Sequence, residues 1–98
     1  MLSADQIQIL RGKVQTAQRR PRCGPWQWAT CVDGPLAGLR IRLEAELHRN
    51  RGASFGWCLL TEAGPVVAMY VHGERPGEWR FDGWSCPGRR ESGAAIMD

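Results

Sequence analysis

The chain is short of the patterns that announce chemistry. Its four cysteines, at 23, 31, 58 and 86, include no closely spaced pair, whereas structural zinc sites take ligands in such pairs because one turn then offers two donors to one ion. A phosphate-cradling glycine loop, a nucleophile elbow and a Walker pattern are all missing. Only two histidines occur, His48 and His72, and a lone histidine reads first as a surface or hydrogen-bonded residue. Together these gaps lead us to expect no metal, no cofactor and no enzyme. Long apolar runs are also lacking and mean hydropathy is −0.38, so no membrane-spanning helix is expected. The opening MLSADQIQILRGK has neither the charged start nor the apolar stretch of a signal peptide. A cytoplasmic setting is therefore expected, with reduced cysteines, although Cys23 and Cys86 flank the folded region and are candidates to approach each other. Lysine is nearly absent, Lys13 standing alone against twelve arginines.

What is present is a chain of 98 residues, the size of one domain with one modest core. Twelve glycines and six prolines imply many short elements. Ser3 followed by Gln6 has the form of a capping box, with Asp5 in the first turn. Ile7, Leu10, Val14 and Ala17 recur at helical spacing, and Pro21 stops the pattern. This predicts a helix over 3–20 that must dock to be stable, since Gly12 in its middle costs about 1 kcal/mol. Residues 21–25 read as a linker.

The stretch 55–84 organises the rest. Phe55–Thr61, Val66–His72 and Glu78–Trp84 are strand-like runs separated by Glu62-Ala63-Gly64-Pro65 and by Gly73-Glu74-Arg75-Pro76-Gly77, in which Gly64 and Gly77 supply the positive φ of tight turns. They predict a three-stranded antiparallel meander. Both alternating sets are apolar in its first two strands, while Trp79 and Phe81 alternate with Glu78, Arg80 and Asp82 in the third, as in an edge or half-exposed strand. Trp26–Asp33 reads as an earlier strand. Leu39, Ile41, Leu43, Ala45 and Leu47 alternate with Arg40, Arg42, Glu44, Glu46 and His48, arguing a long half-buried strand. Leu36, Leu39, Leu43 and Leu47 also fit helical spacing, which leaves helix as the competing reading of 38–48.

The expected fold is thus α+β, one N-terminal helix packed on an antiparallel sheet of about five strands, in a single domain over 1–84 (sheet 26–84) with a disordered tail at 85–98. The segments DGPLAG at 33–38 and MYVHGERPGEWRFDGW at 69–84 resemble pieces of small β-rich proteins of unknown function encoded by phages and prophages of GC-rich bacteria. The resemblance covers about a third of the chain, rests on turn chemistry, and implies a phage or mobile-element accessory protein without assigning any residue a role.

Two functions are carried forward. The first is a protein-binding or assembly module: the central strands carry more apolar surface than one helix covers, so a homodimer mate or a partner protein packs on the rest, with Glu78–Trp84 as a second route by strand addition. The second is single-stranded nucleic-acid binding, arginines holding phosphates and exposed tryptophans stacking on bases. The residues singled out for binding are Arg19, Arg20, Arg22, Trp79, Arg80 and Trp84.

Overall fold

The computed structural model describes residues 2–85 and the backbone of 94–97. Helix α1 spans Ala4–Ala17, with Ser3 as its cap: Ser3 Oγ accepts from the Gln6 backbone N–H and Gln6 Oε1 accepts from that of Ser3. Leu10 and Val14 are its fully buried residues, with Ile7 and Ala17 packed at the margin of the core. The helix stops three residues short of the expected end. Gln18 caps it, and the next turn tightens into i to i+3 bonds from Arg19 N to Thr16 O and Arg20 N to Ala17 O.

The strands that follow are β1 (Trp26–Cys31), β2 (Arg40–Glu44), β3 (Ser54–Thr61), β4 (Gly64–His72), β5 (Glu78–Ser85) and β6 (Ala94–Met97), with a 3₁₀ turn at Gly34–Leu36 and a short helix α2 at Ala45–Arg49. They form one sheet in the order β2-β1-β5-β4-β3-β6. The meander β3-β4-β5 is antiparallel, in register from Ser54↔Val71 to Thr61↔Gly64 and from His72↔Trp79 to Val67↔Ser85, with a bulge opposite Met69 and Tyr70. Gly64 and Gly77 do take positive φ, at 111° and 82°.

Three expectations are corrected. The sheet is mixed rather than antiparallel and curls into a half-barrel, because β1 runs parallel to β5 through Thr30↔Glu78 and Cys31↔Trp79, and β6 runs parallel to β3. β5 is therefore an interior strand rather than an edge. Segment 38–48 is neither one strand nor one helix: it pairs as β2 up to Glu44 and then winds into α2. The alternation served the strand, and the Leu/Glu/Ala content served the turn of helix once pairing with β1 ended at Trp26↔Glu44. Within the expected tail, Ser85 closes β5 and 94–97 form β6; residues 86–93 and 98 lie outside the described residues, as does Cys86.

One face of the sheet, the inner face, carries the core. Phe55, Trp57, Ala68, Tyr70, Trp79, Ala29, Cys31, Ile41 and Leu43 all point there and meet Leu10 and Val14 of α1. Phe55 stacks on Tyr70 with ring centroids 5.5 Å apart and meets Trp79 edge-on at 5.1 Å. Tyr70 also fastens the 3₁₀ turn, its hydroxyl donating to Asp33 O (2.7 Å) and accepting from Leu36 N–H (2.9 Å). Gly34 must be glycine there: its φ is 73°, and a Cβ would collide with Phe81.

Candidate binding face

The opposite, outer face of the sheet follows from the same alternation. With Ala29 and Cys31 of β1 turned inward, Trp26, Trp28 and Thr30 turn outward, followed by Val32. On β2, Ile41 and Leu43 point in while Arg40, Arg42 and Glu44 point out. The β1–β2 register brings Trp28 opposite Arg42 and Trp26 opposite Glu44, so each arginine reaches a tryptophan diagonally or from the next pair. Arg40 Cζ lies 4.8 Å from the centroid of Trp28 and Arg42 Cζ lies 5.5 Å from that of Trp26. The two indoles meet edge to face at 5.2 Å. Trp28 and Val32 are each 45% exposed, large for apolar residues held on a sheet. Beyond β1 the same face continues through Arg80, exposed on β5 opposite Val71, to half-buried Val71 and Met69 on β4.

The β2 edge beside this face is closed. Arg42, its central residue, directs both backbone groups away from β1, and both are taken: Gln18 Oε1 accepts from Arg42 N–H at 2.7 Å, and Arg22 Nη1 donates to Arg42 O at 3.0 Å. The Arg42 guanidinium in turn donates to Ala17 O (3.3 Å) and to Arg20 O at the end of α1, where carbonyls otherwise lack partners. Arg22 also approaches Glu44 at 3.9 Å. A partner strand finds no free pair of groups at this position.

The residues singled out from sequence do not converge. Trp79 is fully buried between Phe55 and the two histidines and cannot meet a ligand. Trp84 lies half-buried, edge-on to Phe81 at 5.4 Å, and shares with Leu2, Ile7 and Pro35 an apolar groove of about 510 Å³ between α1 and the 3₁₀ turn. Arg80 is on the outer face, while Arg19 and Arg20 are exposed at the end of α1 and Arg22 is half-buried beside β2. The tryptophans that do sit with arginines, Trp26 and Trp28, went unselected. Their signal was in the sequence: two tryptophans at period two on one strand, two arginines at period two on the next.

Other candidate chemistry is sparse among the described residues. No group of three histidine, cysteine or acidic side chains is placed to hold a metal. Burial pushes the Cys31 thiol up to about 12, with Arg11 opposing weakly, so it is no nucleophile; Cys23 is exposed and Cys58 half-buried, both free thiols. No helix among the described residues is long and apolar enough to cross a membrane. No family model, no curated protein and no solved structure matches the chain, and the phage-protein resemblance of its two segments finds no support there.

Proposed function

We propose that this chain is a non-enzymatic protein-binding module whose working surface is the outer face of β2, β1 and β5. The observation that supports it most is Trp28: a large indole left 45% exposed on regular strand, steadied by Arg40 and followed two pairs on by exposed Val32. Tryptophan and arginine are the residue types most concentrated at the energetic centres of protein interfaces. The side toward β2 carries Arg19, Arg20, Arg22, Arg40 and Arg42, an excess of arginine over the two carboxylates beside Arg22, Glu44 and Glu46. The partner is therefore a protein surface that is apolar where it meets Trp28 and Val32 and acidic where it meets β2. A second copy of this chain fits less well, because pairing across that side sets arginines against arginines. Docking is face to face rather than by strand addition, given the occupied Arg42 backbone and the interior place of β5.

A second reading, single-stranded nucleic acid, draws on the same Trp28–Arg40 pair, since bases stack on indoles and guanidiniums hold phosphates. It leaves Val32, Val71 and Met69 without a role. A photo-crosslinker placed at Val32, with Ile9 on α1 as control position, separates the readings in lysate of the source cell. The proposed reading expects one dominant protein adduct at 32 that is absent at 9. Equal adducts at both positions, or an oligonucleotide adduct at 32 lost as salt rises, would overturn it.

A further inference from the structure

We infer that the cavity between α2 and the β4–β5 turn is a binding site for a phosphate dianion, free or as the monoester of a small molecule. The cavity, about 350 Å³, is lined by Gln27 from β1, His48, Arg49 and Arg51 from α2 and the loop after it, His72 from the end of β4, and the Pro76–Gly77 turn. Cationic or titratable groups thus meet from separate elements, and no carboxylate among the described residues lines the space. Glu46 pairs with Arg49 at 2.6 Å in a solvent-exposed i,i+3 contact of little worth, which Arg49 exchanges for the anion; Glu74, Arg75 and Glu78 belong to the same turn and its exit but do not line the cavity. Arg51 makes no ion pair among the described residues.

The histidines are already oriented. His72 Nε2 lies 2.9 Å from Leu47 O and 2.7 Å from Asn50 O, and His48 Nε2 lies 3.3 Å from Gln27 O. Carbonyl oxygens only accept, so each Nε2 carries its proton and each Nδ1 is the atom left over. Neither Nδ1 has a protein partner among the described residues. His72 packs over the buried indole of Trp79 at 4.0 Å and His48 meets it edge to face at 5.7 Å, which restrains both rings. Burial, and secondarily the charge of His72, lowers the pKa of His48 below its ordinary value, against the backbone bond to Gln27. The empty cavity therefore favours neutral His48, and an anion reverses that by accepting from a protonated Nδ1. A planar carboxylate is satisfied by one arginine fork. A tetrahedral dianion uses two arginines, the Gln27 amide and two imidazoles arriving from different directions.

The chain has two histidines in all, so their imidazole proton signals, followed by NMR against pH, give a direct test with inorganic phosphate as the probe. Phosphate at millimolar concentration is expected to raise the midpoint of His48 by about one unit, with binding about tenfold tighter for each unit gained. Sulfate, which stays dianionic throughout, should show the same direction, confirming that the histidines and not the probe take up the proton. Adenosine monophosphate binding more tightly than phosphate identifies a monoester ligand, and equal binding identifies free phosphate. Arg51→Ser and Arg49→Ser, both at exposed positions that leave the fold intact, should each weaken phosphate about tenfold. Histidine midpoints that do not move with phosphate, or that move in both arginine variants as far and at the same phosphate concentration as in the parent, would overturn the assignment. The test is independent of the protein partner, which engages Trp28 and Val32.

Discussion

Tyr70 shows how much a single side chain holds in this fold. Its ring stacks in the core and its hydroxyl makes two hydrogen bonds that pin the 33–36 turn to the sheet. Tyr70→Phe keeps the ring and leaves Leu36 N–H and Asp33 O without that partner, so urea unfolding should show a loss of about 2 kcal/mol. Cys31 gives a pH signature. Its folded pKa, about 12 against an ordinary 9.0, is raised by burial, so the native state keeps a proton that the unfolded chain releases. The stability tied to this proton is complete below about pH 9 and falls as pH climbs from there toward about 12. Cys31→Ala should flatten that alkaline decline in thermal melts taken between those limits. Thiol labelling at pH 8 should mark Cys23 at once and leave Cys31 unmodified until the protein unfolds.

Among elements, β2 has the most to lose. Gln18 and Arg22 occupy the backbone of its centre, and the double substitution Gln18→Ala with Arg22→Ala frees that edge for pairing with another molecule. Light scattering should then show association that grows with concentration, where the parent shows less. In the meander, a Cβ at Gly56 would collide with Val67 and lie 2.7 Å from Met69 Sδ; Gly56→Ala should cost about 1–3 kcal/mol through displaced neighbours. The meander itself was legible, because its turn glycines and its alternating Phe55, Trp57 and Leu59 are local signals. So was α1, through Ser3, Gln6 and the Leu10–Val14 stripe. The parallel contact of β1 with β5 was not: it rests on two residue pairs far apart in sequence, Thr30 with Glu78 and Cys31 with Trp79, and nothing local encodes such a match. That one contact moved β5 from edge to interior. Which face is covered is set by α1, whose Leu10 and Val14 pack with Ala29, Cys31 and Trp79, so Trp79 is buried and the Trp28 side is open.

For the molecule as a whole, one helix covers one side of a sheet that is apolar on both sides in its centre. The other side buries Val67 fully, keeps Cys58, Met69 and Val71 half-buried, and leaves Trp28, Val32 and Leu60 open, Leu60 at 77%. Scattered apolar residues are ordinary on any protein surface; what distinguishes Trp28 is that it belongs to an arginine-backed indole pair on regular strand, with exposed Val32 just past the strand's end. Both edges of the proposed surface are held, by Arg42 against α1 on one flank and by β4 on the other, so a partner meets a preformed face with little ordering cost. The measurement that tests this most directly is the yield of the position-32 crosslink in two surface variants of matched stability, Trp28→Ser and Leu60→Ser. A drop of about tenfold or more in Trp28→Ser, with Leu60→Ser unchanged, is the predicted result, as expected when an anchor residue is removed from the centre of an interface. Undiminished yield in Trp28→Ser would contradict the account.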